Sequence, residues 1–149
     1  AGKERVMLAA DGRPQPVNIV AQPYPGVPTD LQAQWTALMC VAEGTSTVRD
    51  RVFPGRFAHV EELDRLGARV ERRDSTTVIH GVPRLTGAHV SASDLRASAA
   101  LVLAALVAEG RSVVHDIEHL DRGYQQLDRK LAQLGAKIAR RTGDKRRRE

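Results

Sequence analysis

Hydrophobic positions along the 149-residue chain fall in short blocks whose spacing changes character several times. Glu4 to Ala10 reads as a strand, closed by a turn at Asp11-Gly12-Arg13-Pro14, and Val17 to Val20 as a second short strand. The proline-studded stretch Gln22 to Pro28 cannot be helical. Thr29 then offers an N-cap and Asp30 a first-turn acid. Leu31, Trp35, Leu38 and Met39 are spaced as one apolar face, which predicts a helix to about Ala42, ended by Glu43-Gly44. Ser46 to Val52 alternates as a strand. Val60, Leu63 and Leu66 predict a short helix that Gly67 closes. Arg69 to Arg72 and Thr76 to His80 form a strand pair turning at Asp74-Ser75, and His89 to Ser91 is extended. Ser93 is a second N-cap candidate, followed by Asp94 and a helix to Ala108 that Glu109-Gly110 ends. The remainder reads as a strand at Ser112 to Ile117, a helix at Gln125 to Leu134 and a last strand over Gly135 to Ala139.

This order repeats. Ala42-Glu43-Gly44 recurs 66 positions later as Ala108-Glu109-Gly110, and Arg56 recurs at the same offset as Arg122. Leu66-Gly67-Ala68 recurs as Leu134-Gly135-Ala136 with a slip of two. Each unit reads helix, strand, arginine loop, helix, strand. Such a repeat implies pseudo-symmetric packing around a shared core. Its period is too long for a common solenoid, so compact α+β or α/β packing is expected.

At 42% hydrophobic the chain can bury a core. Its longest apolar run, Ala97 to Ala108, is Ala-rich, broken by Ser98 and too short to cross a bilayer, so no membrane partner is expected. No signal peptide is visible at Ala1. The single cysteine, Cys40, excludes an internal disulfide and suits a reducing cytoplasm. It lies among Leu38, Met39 and Val41, where a buried structural thiol is expected. The formal charge of +5 is concentrated after Arg140, and residues 141–149 read as a basic, solvated, disordered tail. A nucleic-acid contact is the less favoured reading, and 3% aromatics leave no stacking platform. The histidines form no ligand set: His115 and His119 are separated by a strand end, and His59 and His80 lack partners at ligand spacing. No Ser-His-Asp motif, glycine-rich phosphate loop or Cys-x-x-Cys is present.

Four stretches together carry a resemblance. They are Pro28-Thr29-Asp30-Leu31-Gln32-Ala33-Gln34, Arg56-Phe57-Ala58-His59-Val60-Glu61-Glu62-Leu63, Asp94-Leu95-Arg96-Ala97-Ser98 and Asp121-Arg122-Gly123-Tyr124. In order and spacing they resemble the UDP-N-acetylglucosamine enolpyruvyl transferases, from about Val6 to Arg140. The sister enolpyruvylshikimate-phosphate synthases share the fold and match these motifs poorly. The resemblance implies a two-domain enzyme, each domain an inside-out α/β barrel of three βαββαβ-type units. This chain would be part of the C-terminal domain: residues 1–140, holding two pseudo-repeats at about 18–80 and 81–140. The implied reaction moves enolpyruvyl from phosphoenolpyruvate to the 3-hydroxyl of UDP-N-acetylglucosamine and releases phosphate. It belongs to cytoplasmic peptidoglycan biosynthesis, and so to cell-wall growth, cell shape and division. Neither a metal nor an organic cofactor is implied. The family's mobile-loop cysteine and N-terminal Lys-Asn pair have no counterpart here, so the missing N-terminal half is an expected partner. A non-catalytic relative acting as a binding or scaffold module is the alternative.

The resemblance also ranks residues. Asp30 is the expected base for the sugar hydroxyl, or the group that orients it, because a helix N-terminus favours the charged carboxylate and weakens it as a base. From spacing alone, a helix-capping acid is the simpler account. Arg122, Arg96 and Arg56, in that order, are expected to bind the carboxylate and phosphate of the donor through their planar donor forks. Arg122 is placed just before a helix, where free amides favour anions. Without the resemblance, surface roles are preferred for all three, for example Arg122 paired with Asp121. Asp94 caps its helix and orients Arg96 or Arg122 by an ion pair. Val52, at a strand end, contacts the nucleotide-sugar through its backbone or else packs in the core. Tyr24 lines the sugar site or, more simply, packs on the proline loop.

Overall fold

The computed structural model describes residues 7–141. It opens with β1 (Ile19–Ala21), a 3₁₀ turn (Thr29–Leu31), α1 (Gln32–Met39) and β2 (Thr45–Asp50), then α2 (His59–Arg65), β3 (Arg69–Arg73) and β4 (Thr76–His80). β5 (His89–Ser91), α3 (Leu95–Val107), β6 (Val113–His115), α4 (Glu118–Gly123) and α5 (Leu127–Gln133) follow.

The strands sort into two sheets. One has four strands in the order β1-β2-β4-β3, the other pairs β5 with β6. β1 lies parallel to β2 with Ile19 opposite Val48, and β5 parallel to β6 with Val90 opposite Val114. A parallel pair needs a crossover, supplied by α1 in the first case and α3 in the second. The sequence repeat is therefore realised as two β-α-β units. Gly44 and Gly110, at matching places after the two helices, both have positive φ (126° and 92°), where an L side chain would be strained. β3 and β4 form an antiparallel hairpin that turns through Asp74, at φ 52°. β2 buries Ser46, Val48 and Asp50 and exposes or half-exposes the residues between, as the period of a half-covered strand requires.

α3 begins at Asp94, whose carboxylate accepts from the backbone N–H of Arg96 (2.8 Å) and Ala97 (3.0 Å). Asp94, not Ser93, is the cap. α1 and α3 pack side by side. The faces they bury are rich in small residues: Ala33, Thr36 and Ala37 on α1, and Ala97, Ala100 and Ala104 with Leu101 on α3. This corrects the expected face of α1. Of Leu31, Trp35, Leu38 and Met39 only Met39 is buried; Leu31 is 51% exposed, Leu38 46%, and Trp35 lies between. Small residues win the inner face because they let two helices approach closely. Leu31 and Trp35 instead line a groove with Ile19, Val20 and Val27.

The C-terminal third departs furthest from expectation. α4 occupies residues expected to link a strand to the next helix, and the expected helix over Gln125 to Leu134 is the shorter α5, preceded by Gln126 in a left-handed conformation (φ 48°). Residues 135–139 form no strand. Arg140 instead clamps α4 to α5, reaching both oxygens of Asp121 at 2.8 Å and Asp128 at 3.1 Å. Both carboxyl groups are held below the usual range, in the first place by their bonds to that guanidinium. Residues 7–10 are irregular; Glu4 to Arg5 and Val6 of the expected first strand, and residues 142–149 of the basic tail, lie outside the described part. Among the described residues no helix is long and apolar enough to cross a membrane.

His59, in the first turn of α2, is 1% exposed. Burial lowers its pKa from 6.5 to about 4, partly opposed by the charge of Asp94. Below pH 6.5 the unfolded chain gains a proton that the folded chain refuses. This contribution is therefore complete above pH 6.5 and is lost as pH falls toward 4, at about 1.4 kcal/mol per unit. Urea unfolding at pH 7 and pH 5 is expected to differ by about 2 kcal/mol from this group alone. A His59→Leu chain should lack that part of the slope.

Candidate functional site

α1 and α3 pack against each other, and the contact of Arg96 with Asp30 brings their N-terminal ends together. That brings together residues far apart in sequence. Asp30 sits in the 3₁₀ turn that follows the proline loop. Arg96, in the first turn of α3, reaches Asp30 Oδ1 with Nε at 2.9 Å and Nη2 at 2.8 Å. Arg56, from the loop after β2, places Nη1 3.4 Å from the same oxygen. Among the described residues no side chain bonds Asp30 Oδ2. The carboxylate is largely exposed, while both guanidinium groups are partly covered. The site thus offers an accessible acid, two held cations and a free carboxylate oxygen.

Arg56 has further support. Its Nη1 lies 3.3 Å from Thr29 Oγ1, and its guanidinium carbon stands 4.0 Å from the centre of the Phe53 ring, a cation–π arrangement. Thr29 Oγ1 donates in turn to Asp50 Oδ2 at 2.6 Å. Asp50 Oδ1 accepts from the backbone N–H of Val52 and Phe53, both at 2.8 Å. Thr29 is therefore no N-cap; Pro28 holds that place and the hydroxyl serves Asp50.

Three of the expected site residues, Asp30, Arg56 and Arg96, converge. Arg122 does not. It lies in the last turn of α4 rather than ahead of a helix, is exposed, and makes no bond to this cluster. Asp121, its expected partner, belongs to Arg140. Asp94 engages the backbone of Arg96 and not a guanidinium, so its role is capping rather than an ion pair. Val52 lies beyond the end of β2 and is 36% exposed, which removes the core reading; its N–H is taken by Asp50. Tyr24 is 97% exposed and so does not pack on the proline loop. Cys40 is fully buried and its thiol is pushed up to about 12 by burial, as a structural thiol would be. Among the described residues no three His, Cys, Asp or Glu side chains could hold a metal. Sequence reasoning missed Thr29 as a partner of the site, and Asp50 and Phe53 altogether. Their only signal is proximity to Asp30 and Arg56 along the chain.

The sequence matches the family described as EPSP synthase (3-phosphoshikimate 1-carboxyvinyltransferase) over residues 2–141, and the chain belongs to that family. Relatives at more than half identity include transferases of one name. UDP-N-acetylglucosamine 1-carboxyvinyltransferase of Anaeromyxobacter sp. (strain Fw109-5) is 56% identical over 133 residues, covering 89% of this chain and 32% of that protein. The enzyme of the same name from Chlorobium phaeovibrioides (strain DSM 265 / 1930) is 54% identical over 139 residues, 93% of this chain and 33% of that protein. The crystal structure of the enolpyruvyl transferase NikO from Streptomyces tendae superposes with a TM-score of 0.77 at 37% identity, over 85% of this chain and 30% of that one. The fold is thus a piece of the enolpyruvyl transferase fold. The chain spans about a third of the length of the relatives it matches.

Proposed function

We propose that this chain is part of a UDP-N-acetylglucosamine 1-carboxyvinyltransferase of cytoplasmic peptidoglycan synthesis, active only when the rest of the enzyme is present. The meeting of Asp30, Arg56 and Arg96 from three separate stretches carries this reading. In it, Asp30 Oδ2 takes the proton of the sugar 3-hydroxyl as the sugar oxygen bonds to C2 of phosphoenolpyruvate, and C3 takes a proton from an acid of the remaining part of the enzyme. The bond from C2 to the phosphate oxygen then breaks, phosphate leaves with the electron pair, and C3 returns a proton to the conjugate base of that acid, restoring the enol ether. Arg96 and Arg56 hold the anionic donor and offset charge on the departing phosphate. Before the donor arrives, Asp30 is their counter-ion, so no unpaired cation waits in the site. Arg122, which the sequence placed first, takes third place because it stands outside the cluster. Val52, with its N–H held by Asp50, meets the sugar-nucleotide through its backbone carbonyl.

The large apolar residues left uncovered on α3, Leu103, Leu106 and Val107, support a missing partner. In this reading the remaining part of the enzyme packs there, and the residues 1–140 behave as an incomplete domain. The test is reconstitution. The chain alone should bind UDP-N-acetylglucosamine weakly, seen by saturation-transfer NMR, and release no phosphate from phosphoenolpyruvate. Phosphate release should appear when the remaining part of a relative is supplied. Absence of both binding and turnover would leave the non-catalytic relative as the account.

A further inference from the structure

We propose that Asp50 is a positioning residue for Arg56, holding that guanidinium from two sides without touching substrate. The inference rests on the reading that Arg56 binds the anionic donor. Asp50 is 0% exposed and ends β2, where its own N–H donates to the Ser75 carbonyl at 2.9 Å. A buried carboxylate is costly unless its oxygens are satisfied. Here all of its side-chain partners lead toward Arg56. Oδ2 receives the Thr29 hydroxyl proton at 2.6 Å. A hydroxyl has a single proton, so once it is given to Asp50 the Thr29 oxygen can only accept from Arg56 Nη1, 3.3 Å away. Oδ1 binds the N–H groups of Val52 and Phe53, both at 2.8 Å, and so fixes the turn that carries the Phe53 ring to 4.0 Å from the Arg56 guanidinium carbon. The hydroxyl on one side of Arg56 and the ring beneath it are thus set by the same carboxylate.

Asp50→Asn separates this role from folding. The carboxamide keeps the size and the oxygen that serves Val52 and Phe53. The other position now carries an N–H₂ group, which donates to Thr29 and competes with Arg56. Thr29→Val removes only the hydroxyl and should repeat the effect. In the 149-residue chain, the ring of Phe53 shifts the Arg56 Hδ resonances upfield. Either substitution should shrink that shift by about half or more, with the methyl resonances of Ile79 and Leu101 unmoved; an unchanged Arg56 signal overturns the proposal. In the reconstituted transferase, either substitution should raise the KM for phosphoenolpyruvate about tenfold, the size of one lost bond to a charged group, with kcat within about twofold. In an Arg56→Ala background neither should add to that loss. An equal further loss there would mean a general structural role and overturn the proposal. Failure of the unsubstituted protein to turn over would count against the functional reading alone, since the NMR comparison still decides the role of Asp50.

Discussion

Asp30→Asn is expected to lower turnover of the reconstituted transferase by about 10²–10⁴, the range spanned by loss of a positioned acid–base group, while the fold survives. The asparagine keeps the oxygen that Arg96 and Arg56 reach, at 2.8 Å and 3.4 Å in the parent. What disappears is the second carboxylate oxygen, the one with no side-chain partner among the described residues. Folding is expected to change little, because Asp30 is more than half exposed and exposed ion pairs contribute only about 0–1 kcal/mol. Phosphate release and thermal unfolding measured on one preparation separate the two effects. Turnover at the parent rate would remove Asp30 from the chemistry and leave it as a structural counter-ion.

The largest loss of stability is expected at Leu101→Ala, about 3–5 kcal/mol by urea unfolding, toward the upper part of the range for such truncations. Leu101 is fully buried in α3, in the same core as Ala33 and Ala37 of α1 and Ala100 and Ala104 of its own helix. The same core holds Leu63, Leu66 and Leu85, each fully buried and already packed, so the space left by the leucine is only partly refilled. Two helices in close contact also cannot slide together without disturbing the strands at their ends. Leu103→Ala, two residues on and exposed, should change stability by only about 0.5 kcal/mol in the chain alone. A small effect at Leu101 would mean that α1 and α3 are not in close contact.

These helices also mark how far the sequence could be read. The hairpin of β3 and β4 was legible, since alternation and an Asp-Ser turn agree there. α2 and α3 were legible too, the one from its leucine spacing and the other from its alanine-rich run between a cap and a glycine. α1 was placed correctly but turned the wrong way round. Apolar spacing marks large side chains, whereas the inner face was chosen by smallness. α4 was invisible because Leu120 is the only residue it buries, and one apolar position has no period. Arg122 was misplaced for that reason: its assignment to the start of a helix depended on where the helices were drawn. Asp30, Arg56 and Arg96 could be chosen as candidates only through motifs, because their meeting is a tertiary event. Asp50 could not be chosen at all. Its bond to Thr29 spans 21 residues, and nothing in the alternating pattern of β2 says that a buried acid stands in line.

Asp30 and Arg96 are 66 residues apart, the very offset that relates one half of the chain to the other. The shorter ion pair of the site therefore joins a position to its own counterpart. Two copies of a single sequence would set the same side chain against itself there, acid to acid or base to base, and the halves would push apart. Only unlike halves can seat opposite charges across that seam. Carrying both on one polypeptide, in fixed proportion, makes such unlikeness heritable.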